Sequence, residues 1–366
     1  MQVDSPSKIR NIAITGHNDT GKTTLTSSLL FTAGAAARFG KIEDGNTVTD
    51  FDPEEVERGI SIGLGVCHLP WKQHKVNLLD APGYGIFFSE TRAALRVADT
   101  AVVCVSAVAG AEVNTEKVWE AAAELGLPVI LHANKMDRER ADLGRCLDSL
   151  QQTFGRQVLP VQLPIGAEKD FVGVVDLVKL KAYRFERDGS GKAKEEAVPA
   201  NLAAEVDEAR TRLIEAVAEA DEHLLEKFFE EGTLDAADLE AGLRNAIAGR
   251  KLFPLTLGSS LHLVGSSTLL DFLVDYAPSP VEHPYPARTL DGKTVPLEAD
   301  PAKPVVALVF KTLNDPFTGR LSILRVLSGT LQNDAQLWNV RAEETEKTHG
   351  LVHLQGKQGT ATPKLI

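Results

Sequence analysis

The chain has 366 residues, 43% of them hydrophobic and 25% charged, which is ordinary globular composition with material for two or three domains. Its formal net charge is −12, and residues 195–244 alone carry fifteen acids against four bases, a net of −11. That balance excludes a non-specific nucleic-acid binder, which needs a basic surface, and no DNA partner is expected.

From the N-terminus, "MQVDSPSKIRNIAITG" has no apolar core of signal-peptide length, and no apolar run anywhere reaches the ~18 residues of a membrane span. Cys67, Cys104 and Cys146 have no metal-like or redox-like spacing and read as buried or idle thiols. So few cysteines fit a reducing cytoplasm. A cytoplasmic monomer without a membrane partner is the expectation.

The first 160 residues alternate apolar runs with helical patterns. "NIAIT" (11–15), "VNLLD" (76–80), "AVVCVSA" (101–107) and "PVILHAN" (128–134) are apolar on both faces, as central parallel strands are. Helical segments such as 114–125 lie between them. This rhythm predicts an α/β domain with a doubly wound, mostly parallel sheet.

Residues 16–23, "GHNDTGKT", match G-x-x-x-x-G-K-[ST] after a strand and before a helix. Gly16 and Gly21 let backbone N–H groups wrap phosphates, with His17, Asn18, Asp19 and Thr20 completing the loop and Thr24 in the first turn of the helix. His17 reads as a loop residue rather than a ligand. Lys22 is placed for the β- and γ-phosphates, and Thr23 for Mg²⁺. The polar segment 50–63, "DFDPEEVERGISIG", reads as a long loop. Its Ser61 would give a second hydroxyl to Mg²⁺ when the terminal phosphate is present and release it afterwards, an order–disorder switch.

Asp80 ends a strand and opens D-x-x-G. Its carboxylate would hold Mg²⁺ through water, and the Gly83 N–H would bond the γ-phosphate. "NKMD" (134–137) follows another strand. Asp137 would accept from N1–H and the exocyclic amine of guanine, a pairing that adenine lacks; Asn134 would brace the loop and Lys135 would lie against the base. Gly258, Ser259 and Ser260 follow a further strand and could offer N–H groups to the guanine carbonyl. The motifs together select GTP/GDP and Mg²⁺ over an adenine nucleotide.

Residues 160–187 alternate like a small antiparallel piece, and 202–249 read as two or three helices with a stripe of Leu213, Val217, Leu224 and Phe228. "LFPLTLGSS" (252–260) then returns to the α/β pattern, which makes the stretch of about 160–250 an insert, α+β in class. Residues 278–304 are rich in proline and suggest a linker. From 305 the text is strand and turn, the start of an antiparallel β-barrel. The expected divisions are a G domain at 1–287, a linker at 288–303 and a partial barrel at 304–366.

With these motifs read, the chain resembles the translational GTPases, elongation factor G and its paralogues most of all. "RGISI" is similar to the family's second motif, and "PIGAEKDFVGVVDLVKLKAYRF" resembles the start of the insert that marks these factors. "LLDFLVDYAPSPVEHP" resembles the end of their G domain and "DPFTGRLSILRVLSGTL" their second domain. The resemblance implies a GTP-driven factor that docks on the ribosome, triggered by large-subunit RNA, with the acidic insert against a stalk protein.

Three departures matter. Tyr84 stands where the family commonly has a histidine that positions the attacking water. A phenol is a poor base at neutral pH but can still orient water. Lys22, Gly83 and Tyr84 are therefore the expected catalytic residues, with slow intrinsic hydrolysis. Ser61 replaces a threonine and Asn18 a usually apolar residue. The third departure is length: the chain stops at Ile366, before the strands that close the family's barrel, so tRNA movement by this polypeptide is not expected. The competing class is a ribosome-associated module that holds GTP and acts by occupancy, with little hydrolysis.

Overall fold

The computed structural model describes residue 3 and residues 5–186, 188–289, 291–315 and 319–366. Met1, Gln2 and Asp4 of the N-terminal stretch lie outside the described residues, as do Pro316, Phe317 and Thr318 of the "DPFTGR" string.

The first half runs β1 (Ile9–Gly16), α1 (Lys22–Thr32), α2 (Pro53–Arg58), β2 (Gly65–Trp71), β3 (His74–Asp80), α3 (Phe88–Arg96), β4 (Thr100–Ser106), α4 (Val113–Glu124), β5 (Val129–Asn134), α5 (Leu143–Phe154) and β6 (Val158–Pro160). A four-stranded antiparallel sheet follows, from β7 (Gln162–Ile165), β8 (Gly173–Asp176), β9 (Lys181–Phe185) and β10 (Ala193–Glu196). Three helices come next: α6 (Ala203–Glu219), α7 (Glu222–Glu231) and α8 (Ala236–Ala248). The chain then re-enters the first sheet as β11 (Phe253–Leu257) and closes on it with α9 (Ser266–Tyr276).

The main sheet has the order β2-β3-β1-β4-β5-β11-β6. Among the described residues of this sheet only β2–β3 is antiparallel; every other pairing is parallel. The strand order explains the apolar runs. β1, β4, β5 and β11 lie inside the sheet and are buried almost throughout. Successive residues feed opposite faces. Ile12 and Ile14 pack with Leu25, Leu29 and Leu273 on one side, while Ala13 packs with Leu95, Val118 and Leu131 on the other. Connections of this kind leave a crevice beyond the carboxyl ends of the strands, where the strand order reverses.

Three expectations are corrected. Residues 50–63 are not a plain loop, because α2 forms inside them. Asp52 caps it, its side chain accepting from Glu54 N at 2.9 Å, and Pro53 starts it. The apolar stripe in the insert belongs to two helices: Leu213 and Val217 lie on α6, Leu224 and Phe228 on α7. Asp221 separates them by accepting from the N–H groups of His223 and Leu224. The proline-rich stretch holds a hairpin, β12 (Tyr285–Arg288) paired with β13 (Thr294–Leu297).

Beyond it come β14 (Val306–Asp315), β15 (Gly319–Ser328), β16 (Leu331–Gln332), β17 (Gln336–Asn339), β18 (Glu344–Lys347), β19 (Val352–Gln355), β20 (Gln358–Ala361) and β21 (Lys364–Leu365). Among the described residues these pair two by two and antiparallel. They bond the first half of the chain at several points. Gly356 N donates to Val66 O at 2.8 Å, and Arg325 Nη2 to Asp99 Oδ1 at 2.7 Å. The described helices include none long and apolar enough to cross a membrane. The three cysteines are buried and free.

Candidate functional site

The loops after β1, β3, β5 and β11 meet at the carboxyl edge of the sheet around a cavity of about 290 Å³. Asn18, Asp19, Gly21, Lys22, Thr23 and Thr24 line it from the first loop, Ser61 from the segment after α2, and Gly83 and Tyr84 from the loop after β3. Asn134, Lys135, Asp137 and Ser260 line the far end. Gly16, His17, Thr20, Asp80, Gly258 and Ser259, also expected at the site, are not among the residues that line it.

Gly16 ends β1 at a φ of 134°, and a Cβ there would lie 2.2 Å from the Cys104 carbonyl oxygen, so no side chain fits between β1 and β4. Thr20 is fully buried, and its hydroxyl donates to His17 O at 3.0 Å. Its carbonyl accepts from Asn134 Nδ2 at 2.9 Å. Asn134 Oδ1 in turn accepts from Ser260 N and Ser260 Oγ, each at 2.9 Å. One asparagine thus ties the first loop to the last. Lys135, at a φ of 64°, sends Nζ to Asp19 O. Asp137 is mostly buried, with His262 Nε2 at 3.5 Å and Arg138 Nε at 3.9 Å from its Oδ2.

At the opposite end, Thr23 Oγ1 and Ser61 Oγ are 3.0 Å apart. Ser61 Oγ donates to Asp50 Oδ2 at 2.9 Å. Asp80 Oδ2 accepts from Thr49 Oγ1 at 2.7 Å, while its Oδ1 is buried without a hydrogen bond among the described residues. Burial pushes the Asp80 carboxyl up to about 6, with Thr49 and Lys22 opposing the rise. Burial, then the Asp80 charge, pushes Asp50 up to about 7. Burial lowers the Lys22 ammonium, whose Nζ donates to His17 O at 2.6 Å.

Two hydroxyls, two poorly solvated carboxylates and an unsatisfied carboxylate oxygen are a donor set for a hard divalent cation. Among the described residues no cluster of three or more His, Cys, Asp or Glu could hold an ion alone. Sequence reasoning misses Asp50 as a site residue. Its only signal is a carboxylate at the head of a polar segment, eleven residues from Ser61.

The chain belongs to the family described as the Elongation factor Tu GTP binding domain, whose model matches residues 7–279. It is 38% identical to Elongation factor G of Mycoplasma pneumoniae over 349 residues, which are 95% of this chain and 51% of that protein. It is also similar to a crystal structure of a Thermus thermophilus protein, with a TM-score of 0.87 and 35% identity, over 98% of this chain and 51% of that one. The chain thus spans about half the length of the relatives it matches.

Proposed function

We propose that the chain binds GTP with Mg²⁺ and hydrolyses it as a ribosome-acting translation factor, slowly when alone. The observation that carries this is the convergence of Lys22, Thr23, Gly83, Asn134 and Asp137 on one cavity. The first-loop backbone and Lys22 take the phosphates. Asp137 takes the guanine edge, with the Ser260 loop beside it. Thr23 and Ser61 would hold the cation directly, and Asp50 and Asp80 through water; when bound, it neutralises charge on the phosphates. Tyr84, half-buried and lining the cavity, orients the attacking water by a hydrogen bond.

The partners proposed are large-subunit ribosomal RNA and, for the insert, a stalk protein with a basic patch. Nearly all the acids of α6–α8 are exposed, and so is Phe229. Such a face is complementary to a basic protein surface. A monomer in the cytoplasm completes the reading.

Phosphate release is measured for wild type and Tyr84→His, with and without ribosomes. We expect ribosome-stimulated release from both and a faster rate from Tyr84→His. If ribosomes stimulate neither, the functional reading fails. If the two proteins match under both conditions, Tyr84 does not set the rate.

A further inference from the structure

We propose that Asn114, in the first turn of α4, is a positioning residue that fixes Tyr84 and couples it to the phosphate-binding loop. The inference rests on the hydrolysis reading above.

Gly83 has to be a glycine here. A Cβ on it would lie 2.3 Å from Lys22 Nζ and 2.7 Å from the Asn18 Cα. The same absence of a Cβ leaves the backbone at 83 free to rotate. Freedom there moves whatever follows, and Tyr84 follows. The restraint comes from outside the loop. Asn114, buried at 9% exposure, donates from Nδ2 to Gly83 O at 2.8 Å. That carbonyl shares a planar peptide with the N–H of Tyr84, so holding the oxygen sets the plane from which the tyrosine departs. A Cβ on Gly85 would lie 3.3 Å from Asn114 Oδ1, so the amide is seated against both glycines that flank the tyrosine.

Asn114 also reaches the first loop. Its backbone N–H, among those at a helix start with no partner inside the helix, donates to His17 Nδ1 at 3.2 Å. With Nδ1 accepting, the ring proton lies on Nε2, 3.6 Å from Glu112 Oε1. His17 O accepts from Lys22 Nζ, and Lys22 Nζ lies against Gly83. Lys22, His17, Asn114 and Gly83 thus form a closed ring of contacts between two loops that face the terminal phosphate. A shift in the lysine's loop is passed to Tyr84 through this ring.

The test uses Asn114→Ala and Asn114→Asp. The aspartate keeps the size and suits a helix N-terminus, so its loss of a donor is not confused with a weakened helix. A melting curve checks that both fold. Expected are a kcat for GTP hydrolysis lower by about fivefold to thirtyfold and a KM and GDP affinity within about twofold of wild type. Amide hydrogen exchange over residues 84–88 should be about fivefold faster in Asn114→Ala. Unchanged kcat in both variants overturns the proposal, as does unchanged exchange. If wild type binds GDP but hydrolyses no GTP, the functional reading fails by itself, and the exchange comparison alone decides whether Asn114 holds the 83–84 peptide.

Discussion

Asp50 and Asp80 are held as buried carboxylates near the Thr23–Ser61 hydroxyl pair, and their proton affinities are raised because charge there is poorly solvated. The folded chain binds protons at these two sites at a pH where the unfolded chain has lost them, so their contribution to stability is present near pH 4 and lost as pH rises through about 6 to about 7. Asp50→Asn should therefore gain stability over wild type as pH rises from 5 to 8, by ~1–2 kcal/mol. Urea unfolding of the two proteins across that range checks it, and parallel pH profiles would contradict it. The same substitution should weaken Mg²⁺-dependent GDP binding above pH 7, where the carboxylate is needed. At this scale legibility followed distance along the chain. Residues 16–23, 80–83 and 134–137 each stand on one turn, so their spacing is visible in the text. Asp50 reaches the cavity from a separate segment, and Asn114 bonds the Gly83 carbonyl from another; a carboxylate at the head of a polar segment is all that marks the first, and nothing local marks the second.

α2 and its flank show how an element sets a site from outside it. Glu55 closes the cap by accepting from Asp52 N at 3.3 Å, and its other oxygen accepts from Ile62 N and Gly63 N, each at 2.9 Å. The backbone just after Ser61 is thus pinned to Glu55 of α2, seven and eight residues earlier. Glu55→Ala should cost about 1–2 kcal/mol and lower Mg²⁺-dependent nucleotide affinity several-fold; unchanged affinity would refute the coupling. The sequence pattern read this stretch as a loop because a six-residue helix has too few turns to show a period. A second element contact is pH-sensitive. His68 Nδ1 lies 2.9 Å from Leu354 O, and the His68 and His353 rings are 5.9 Å apart. Burial lowers both, His353 to about 4 with Lys75 and His68 adding to the fall. Lowered folded values stabilise above the ordinary histidine range and lose that contribution as pH falls from about 6.5 toward about 4. The β19–β20 hairpin should therefore loosen from β2 in acid. Faster amide exchange at His68 and Gly356 at pH 5 than at pH 7, corrected for intrinsic rates, is the expected result.

The strand-rich end of the chain, residues 306–366, is joined to the α/β domain through buried charge. Asp99 accepts from Arg325 Nη2 at 2.7 Å and from Asn11 Nδ2 at 2.7 Å, and Arg325 Nη1 donates to Val97 O at 2.9 Å. Lys311 Nζ bonds Leu64 O at 3.0 Å and Glu90 Oε2 at 2.9 Å, beside the segment that carries Ser61. Arg325→Ala strands a buried carboxylate and should cost about 3–5 kcal/mol in thermal unfolding; a loss under about 1 kcal/mol would contradict a structural role for the pair. The α/β rhythm, the return of the chain at 252–260 and the strand-rich end were all legible, because burial writes its period into neighbouring residues. The hairpin within 285–297 was not, since its residues are mostly exposed and carry no apolar alternation. The central claim is that this cavity selects guanine. Calorimetric titration of the Mg²⁺-supplemented chain with GDP and with ADP tests it most directly. The account predicts GDP binding tighter than ADP by about 10⁴-fold, because adenine leaves Asp137 unpaired; equal affinities would contradict it.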